Sequence, residues 1–591
     1  MKRWLLKRTK INIEDMAKEL GVRQATASVL ANRGLCARKD AVAFLYGGMD
    51  ILAHAPLMKD MEKGVELIAD AIEKGQKIAI YGDYDVDGVM STAILYRVIC
   101  RCGGRGMYYL PHRQKEGYGL NLKAVETLHT EGVELLFTCD NGISALQEAA
   151  LAKEKGMTVV MIDHHEPGFR EEDGEREDIL PMSDALIDPK QQCCPYPFKM
   201  LCAGGISYQF ALLLLRRFGI ADAGLEKELL SFAAIATVCD IVDLLGENRT
   251  IVQAGLKEIQ ETKNLGLRML IEETEMAEKS LTEYHIGFII GPCINAAGRL
   301  ESGRRAVELF CTQEEGRARE IAKHLVALNE ERKKLTEEAT ERAILSVEQT
   351  GALQQPVLVL YDPLIHESIA GIVAGRIKDR FYHPTVLITG SEEGAKGSGR
   401  SIEGYHLFEA LFTCRELFTR FGGHAMAAGL SLPVENIDAL RERLNADCRL
   451  TEQDMTAILR IERQLSFAEI DLGLAKELKS LAPFGKGNPS PLFGTKGVQA
   501  DRVDLIGKNQ DSLRLKLADP KTGIRLSAVC FGGYELLLEQ LKELYPPEDC
   551  DKIIKVGHLP RQLDIVYSID VNTYQGRSHV QLIIKDFRFS K

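Results

Sequence analysis

The sequence predicts an α/β protein of several domains: a parallel sheet, a long connecting helix, a smaller α/β domain and a closing β-barrel. Three observations predict it. From residue 77, short and nearly continuous apolar runs alternate with helical stretches, as strands buried on both faces of a parallel sheet do. Residues 313–347 hold no glycine beyond Gly316 and no proline, and carry an apolar stripe at helical spacing. Beyond residue 491, short alternating strands separated by turns suggest a small barrel.

Residues 1–75 read as helical and polar, broken at Gly21, Gly34 and Gly47-Gly48. IEDMAKELGV has a helical period, but no clear recognition helix follows it, so a helix-turn-helix is only weakly suggested. KIAIYG (77–82), GMYYLPH (106–112), VELLFTC (133–139), TVVMID (158–163) and ALIDP (185–189) are the expected strands. VMSTAILYRVIC (89–100) and SALQEAALAKEKG (144–156) are helices between them, and 200–217 and 226–245 read as buried helices. Ile321, Leu325, Leu328 and Leu335 form the stripe of one helix, roughly 50 Å long at 1.5 Å per residue, which acts as a spacer. PVLVLYDP (356–363), SIAGIVAGRIKDRF (368–381) and TVLITG (385–390) restart an α/β unit. The glycine-rich stretches 394–401 and 421–432 follow it, and LAPFGKGNPSP (481–491) reads as a hinge. VQADRVDLI, SLRLKLAD, IRLSAVCFG, DKIIKVGHL, LDIVYSIDVN and SHVQLIIKDFRF read as the barrel strands. The divisions are a helical region at 1–75, the sheet domain at 76–312, the helix at 313–350, the smaller domain at 351–455 and the barrel at 456–591. At roughly 150 residues per domain, 591 residues suit about three or four.

Composition excludes several classes. With 45% hydrophobic and 27% charged residues the chain is neither disordered nor fibrous. ALLLL (211–215) ends at Arg216-Arg217, and no apolar run reaches membrane-spanning length. Lys2, Arg3, Lys7 and Arg8 surround only Trp4-Leu5-Leu6, so a signal-peptide core is missing. A soluble cytoplasmic protein is expected, with no membrane partner. The net charge of −11 argues against broad coating of nucleic acid, though not against a local basic groove. Residues 451–591 hold 20 Lys and Arg against 19 Asp and Glu, so the acidity lies N-terminal to them. The fourteen cysteines include no CxxC pair, and Cys193-Cys194 and Cys100/Cys102 have the wrong spacing for a zinc knuckle. Most read as buried reduced thiols.

Acidic residues recur where strands end. YGDYDVDG puts Asp83, Asp85 and Asp87 after the first strand, FTCDNG puts Asp140 after the third, and VMIDHHEP puts Asp163, His164 and His165 after the fourth. The carboxyl ends of parallel strands line one crevice, where ligands bind. AIATVCDIVDLL sets Asp240 in an apolar helix, where an isolated carboxylate is costly without a cation. Each piece alone has an ordinary explanation: a solvated turn, a tight turn, a chance tripeptide, an acid satisfied by backbone donors. Together they bring five or more acids to one place without Lys or Arg, which is strongly unfavourable unless divalent metal is bound. Mixed His and carboxylate ligands suit Mn²⁺, or Mg²⁺, and two ions.

DYDVDG, CDNG, DHHEP and the buried Asp240 resemble the four motifs of the DHH phosphoesterase superfamily. INAAGRL (294–300), GSGRS (397–401), GGHAMAAGLSL (422–432) and LAPFGKGNPSPLF (481–493) follow in order, and residues 40–590 resemble the RecJ-type single-stranded-DNA-specific exonucleases. The resemblance implies a DHH catalytic domain, a DHH-associated substrate-binding domain around 422–432, and a C-terminal oligonucleotide-binding (OB) fold. It implies metal ligation by Asp85, Asp87, Asp140, His164 and Asp240, with Asp83 and His165 as supporting or second-metal groups. One departure is visible: many members carry His four residues before the first Asp of the DxD pair, where this chain has Tyr81. A phenol is a poor ligand at neutral pH, which leaves the second ion to Asp83, His165 or the substrate.

The implied activity is metal-dependent, 5′→3′ hydrolysis of single-stranded DNA to 5′-mononucleotides, in repair and recombination. Two metals would activate a bridging water and stabilise the attacking and leaving oxygens. His165 is the candidate for contacting the phosphate or protonating the leaving oxygen, or else it orients its neighbours. Ser398, Arg400 and the backbone of Gly397 and Gly399 suit phosphate, as do Gly422, Gly423 and His424. Arg299 and Arg304 are placed to reach an adjacent phosphate. Tyr567, Tyr574, Phe587 and Phe589 are candidate stacking platforms, with Arg561, Arg577 and Lys585 near phosphates. The family implies a single-strand-binding protein and a helicase as partners. The alternatives are a phosphoesterase of short oligonucleotides, cyclic dinucleotides or pyrophosphate, and a non-catalytic scaffold.

Overall fold

The structure is a computed structural model describing residues 2–113, 115–172, 175–391 and 394–590. The chain forms two compact units. Residues 49–456 make one, and 1–48 together with 457–591 make the other, so the region 1–75 is divided between them. Among the described residues no helix is long and apolar enough to cross a membrane.

In the 49–456 unit a five-stranded, all-parallel sheet runs in the order Arg105–Tyr109, Lys77–Tyr81, Leu135–Cys139, Thr158–Ile162, Ala185–Ile187. Its strands are apolar throughout because both faces are covered. Ile78, Ile80, Phe137 and Val160 enter one core, shared with helices Val86–Arg101, Ala203–Arg217 and Ala223–Cys239. Ala79, Tyr81, Leu136 and Val159 enter a second core with Ala124, Leu128 and Ala149 of helices Leu122–Thr130 and Leu146–Glu154. Parallel order puts the carboxyl ends of all five strands on one edge, where the acidic loops stand.

Two differences from the sequence reading matter here. Asp240 does not lie inside a helix. It caps the C-terminal end of Ala223–Cys239, and Ile241 follows in the left-handed region at φ 57°, which turns the chain before helix Gly246–Gln260. An antiparallel hairpin, Gly168–Glu172 with Glu175–Ile179, stands between the fourth and fifth strands. Its charged sequence gave no apolar alternation to read.

The long helix runs Glu315–Thr350, and Ile321, Leu325 and Leu328 are buried on it while Leu335 is half-buried. It leads to a second five-stranded sheet in the order Arg420–His424, Ala427–Leu432, Gly394–Arg400, Thr385–Ser391, Leu358–Tyr361, covered by helix Glu367–Phe381. Only the last two strands pair in parallel.

In the other unit, strands from Arg463–Gln464 to Arg577–Phe589 form a six-stranded sheet that closes on itself through pairing of Phe493–Ile506 with Leu563–Tyr574. DKIIKVGHL is not a strand: Pro547–Val556 is a helix, started by Pro547, Glu548 and Asp549 and stopped by Gly557 at φ 69°. Tyr567 and Phe587 are buried in the core, the Tyr567 hydroxyl 2.7 Å from Thr495 Oγ1, so neither is a stacking platform. Phe589 is half-buried, the Tyr574 side chain lies outside those described, and Arg561, Arg577 and Lys585 are exposed. Segment 481–491 lies within this unit and is no hinge. Buried Asn488 donates from Nδ2 to Leu481 O (2.9 Å) and Pro483 O (2.6 Å). The strand Arg3–Leu6 pairs with Ile458–Ile461, and the helix Gln24–Asn32, a would-be recognition helix, buries Ala25 through Ala31.

Leu325 is fully buried on the spacer helix. Leu325→Ala is expected to cost about 3 kcal/mol, and Leu325→Met less than about 1.5 kcal/mol. The urea midpoint at unchanged slope reads both; equal losses would mean the site is not close-packed.

Candidate metal centre

The loop after the first strand begins the site. Asp85 is the N-cap of Val86–Arg101 and accepts from Gly88 N at 3.1 Å. Gly88 has no substitute: a Cβ there would lie 2.5 Å from Asp83 O. Asp87, one turn in, accepts from Ala203 N (2.8 Å) and Gly204 N (2.7 Å), the open N–H groups at the start of helix Ala203–Arg217. Burial and the Asp85 charge raise Asp87 to about 6 despite these bonds. Gly298 of INAAGRL packs against the loop so closely that a Cβ would lie 2.2 Å from Tyr84 O.

Asp140 ends the third strand in the left-handed region at φ 63°, a conformation Asp tolerates better than most residues. Its Oδ1 is 3.1 Å from His164 Nε2, which is also 3.5 Å from Asp87 Oδ2, while His164 Nδ1 is 3.8 Å from Asp240 Oδ2. His164 is therefore ringed by three carboxylates from three elements. Burial and the neighbouring His165 lower it to about 3, so it is a neutral donor. Burial, then Asp87 and Asp85, raise Asp240 to about 8. Asp83 is 1% exposed, and its Oδ1 has no hydrogen-bond partner; burial and Asp85 raise it well above the usual carboxylate range.

His165 and Asp163 form a different pair. Asp163 accepts from Ile143 N (2.8 Å), His164 N (2.8 Å), His165 N (3.2 Å) and His165 Nδ1 (2.7 Å). Burial opposes its charge, but the His165 bond and charge outweigh it and bring Asp163 down to about 2. Burial likewise opposes a charged His165, and Asp163 outweighs it, raising His165 to about 9.

Three sets of side chains bring ligand atoms within 4.8 Å of one another: Asp140, His164 and His165; Asp87, His164 and Asp240; Asp83, Asp85 and Asp140. No Lys or Arg pairs with these acids among the described residues. An orphaned buried carboxylate oxygen, carboxyls raised by mutual repulsion and a neutral imidazole together fit divalent cations with oxygen and imidazole ligands. Tyr81 takes no part. Its buried hydroxyl donates to Gly119 O (3.0 Å) and accepts from Asn121 Nδ2 (3.2 Å), and its ring stacks on Tyr109.

Beside the acids lies a cluster of the opposite sign, only partly foreseen. Arg299 is brought to it: Nη1 donates to Ser368 O at 2.7 Å, and burial with Arg113 and Arg332 lowers it to about 10. Burial and Arg113 lower Arg400, whose Nη1 reaches Ser398 Oγ (3.2 Å) and Gly399 O (2.7 Å). Burial and Arg376 lower Arg332. Arg113 lies 5.1 Å from the Tyr84 ring centre. None of these five arginines pairs with a carboxylate among the described residues, so the cluster is complementary to a polyanion. Arg113, Arg332 and Arg376 escaped the sequence reading because a single basic residue in a loop or helix carries no pattern. Arg304 is not brought to the cluster; it is exposed beside Tyr108. Gly422, Gly423 and His424 lie on the largely exposed edge strand Arg420–His424.

The comparisons agree along the chain. Models of the DHH family N-terminal domain, the DHHA1 domain and the RecJ OB domain match residues 77–237, 354–449 and 461–586. The single-stranded-DNA-specific exonuclease RecJ of Bacillus subtilis is 35% identical over 596 residues, covering 100% of this chain and 71% of its own. That of Haemophilus influenzae is 33% identical over 89% of this chain and 90% of its own. The crystal structure of Thermus thermophilus RecJ in complex with Mn²⁺ superposes with a TM-score of 0.81 at 25% identity, covering 100% of this chain and 80% of that one.

Two outcomes test the centre. Asp83→Asn is expected to raise the melting temperature of the metal-free protein, by replacing a buried carboxyl whose ionisation is disfavoured, and to weaken Mn²⁺ binding in calorimetry. Loss of both would mean Asp83 is a structural acceptor. The second outcome is pH dependence. Asp240 (3.8 to about 8) and His165 (6.5 to about 9) both favour the protonated form on folding, so their contribution is lost as pH rises. His164 (6.5 to about 3) has the opposite sign but is neutral in both states above its unfolded value. The metal-free protein should therefore melt lower as pH rises from about 6.5 to 8, and saturating Mn²⁺ should flatten or reverse the trend.

Proposed function

The chain belongs to the RecJ family of single-stranded-DNA-specific exonucleases, and on that premise we propose that it hydrolyses single-stranded DNA from the 5′ end, releasing 5′-mononucleotides with Mn²⁺ or Mg²⁺ as cofactor. The observation that carries the reading is the juxtaposition of an unneutralised acid centre and an unneutralised arginine cluster in one unit. A phosphodiester needs both: cations at the reacting phosphate and guanidiniums at its neighbours.

Asp87, His164 and Asp240 would hold one ion, and Asp83, Asp85 and Asp140 a second, with Asp140 and His164 between the two sets. When bound, the ions supply an activated water and neutralise charge on the attacked phosphate. Asp163 orients His165, whose Nε2 proton is available to the departing 3′ oxygen. Arg299, Arg113 and Arg400, with Ser398, take the phosphates flanking the scissile bond. The edge strand with Gly422, Gly423 and His424, and Arg304 outside the cluster, serve more distant parts of the strand. The acid sites belong to a catalytic domain at 76–312, and the 313–350 helix carries the substrate-binding domain at 351–455. Exposed Arg561, Arg577 and Lys585 of the closed sheet suit single-strand backbone contacts.

A role in DNA repair and recombination follows from the activity, with a single-strand-binding protein and a helicase as the partners the family resemblance implies. Fourteen free cysteines suit action in the reducing cytoplasm.

The test incubates the protein with Mn²⁺ and 5′-labelled single- and double-stranded oligonucleotides. Rapid release of mononucleotides from the single strand alone is expected. Asp87→Ala and Asp140→Ala should lower the rate by roughly 10³-fold or more, and Arg113→Ala should act mainly on KM. Equal rates on both substrates would overturn the reading. Full activity on dinucleotides alone would favour a small-substrate phosphoesterase, and cellular function intact in Asp140→Ala a scaffold.

A further inference from the structure

The loop between strand Arg105–Tyr109 and helix Leu122–Thr130 is pinned on both sides of one residue. On one side Glu116 accepts from the Tyr109 hydroxyl (2.6 Å) and from His112 N (2.7 Å). On the other, Gly119 O accepts from the Tyr81 hydroxyl (3.0 Å), and Asn121 caps the helix through Ala124 N (2.9 Å). Between the pins Gly117 (φ 85°) and Gly119 (φ 77°) both take the left-handed conformation, and a Cβ at either would meet nothing closer than 4.0 Å. Conformation, not space, calls for glycine at both positions. They flank Tyr118 and set its direction. Its hydroxyl lies 3.2 Å from His165 Nε2 and 3.2 Å from Asp140 O, and its ring meets His165 and Tyr84 edge-on. The residue is nonetheless 56% exposed.

A histidine held at one nitrogen pivots about that bond. Asp163 fixes His165 at Nδ1, and among the described residues the hydrogen-bond partner of the other nitrogen is the Tyr118 hydroxyl. A phenol has a single hydrogen, and a carbonyl only accepts. Both contacts are satisfied together when Tyr118 donates to Asp140 O and accepts from Nε2, which directs the Nε2–H at the phenol oxygen beside the acid centre. These contacts hold the ring whichever nitrogen carries the proton, and the transfer itself draws on a proton at Nε2.

We propose that Tyr118 is a positioning residue for proton transfer: its hydroxyl holds the His165 ring so that Nε2 faces the departing 3′ oxygen. The role rests on the proposed exonuclease reading with His165 as donor. In the step, an oxygen from water bonds to phosphorus and the P–O3′ bond breaks. The departing oxygen takes the Nε2 proton and becomes the 3′ hydroxyl of the released nucleotide. The shortened strand keeps a 5′ phosphate, the proton shed by the attacking water goes to solvent, and solvent reprotonates His165. The N–H is shared between the phenol oxygen and the departing oxygen as a three-centre bond.

The experiment compares the full-length protein with Tyr118→Phe and His165→Gln on two 5′-phosphorylated single strands. One has oxygen and the other sulfur as the bridging 3′ atom of the first linkage. A thiolate departs without a proton, so positioning of the donor matters only for the oxygen strand. Tyr118→Phe should slow kcat on the oxygen strand roughly 10- to 100-fold and on the sulfur strand less than about threefold. KM and Mn²⁺ affinity by calorimetry should stay unchanged. Equal slowing on both strands, slowing on neither, or a drop in Mn²⁺ affinity would overturn it. His165→Gln separates the two readings. If it shows the oxygen-selective loss and Tyr118→Phe does not, only the Tyr118 role falls; if it shows none, the donor role of His165 falls with it.

Discussion

Repulsion among buried carboxylates governs this structure. Asp83, Asp85, Asp87, Asp140 and Asp240 crowd one edge of a parallel sheet, and among the described residues no Lys or Arg pairs with them. Like charges at such distances in a poorly solvated pocket cost several kcal/mol unless something offsets them. The fold holds them by devices that oppose the repulsion locally. The start of helix Ala203–Arg217 faces Asp87 with two N–H groups, and Asp85 caps its own helix. Asp83 keeps an unpartnered oxygen. The surrounding apolar core, with strands buried on both faces, supplies the stability that lets such a site persist.

The same repulsion separates the two adjacent histidines. They are consecutive in the chain, yet one is lowered and the other raised. His164 sits deeper, and beside the charged His165 its own protonation is disfavoured. His165 meets Asp163, which accepts from three backbone N–H groups and from the ring and lies below the usual carboxylate range. One imidazole is thereby suited to a cation and the other to a proton. The arginine cluster completes the polarity. Burial and neighbouring guanidiniums lower Arg299, Arg332 and Arg400, as burial and neighbouring carboxylates raise Asp83, Asp87, Asp140 and Asp240, and an anionic strand with divalent ions would relieve both clusters at once.

What the sequence made legible followed from local pattern. Buried parallel strands are continuous apolar runs, so the sheet could be read, and its carboxyl edge gave the place where the acids meet. The spacer helix was legible for the same reason. What escaped depends on distance in the chain. The strand Arg3–Leu6 finds its partner more than 450 residues away, and Arg113, Arg332 and Arg376 come from a loop and two helices with no shared motif. Asp240 was expected within a helix because apolar residues continue past it; the left-handed Ile241 that ends the helix leaves no trace in composition. Tyr567 and Phe587 misled because, in a sheet that closes on itself, alternation tells one face from the other but not inside from outside. DKIIKVGHL misled because its apolar spacing suits a strand as well as the end of a helix, and the Pro547 that starts it lies outside the apolar run.

Tyr81 ties these themes together. The family resemblance implies an imidazole at that position in many members, and a phenol there is a weak ligand. In this fold the Tyr81 ring is stacked in the core and its hydroxyl reaches outward to the carbonyl of Gly119, one residue beyond Tyr118. The Tyr81 hydroxyl thus contacts the loop that touches His165. Asp83, Asp85 and Asp140 bring ligand atoms together without a residue at 81. The buried strand thus reaches the loop beside the acid centre through the Tyr81–Gly119 hydrogen bond, and that loop reaches His165 through Tyr118.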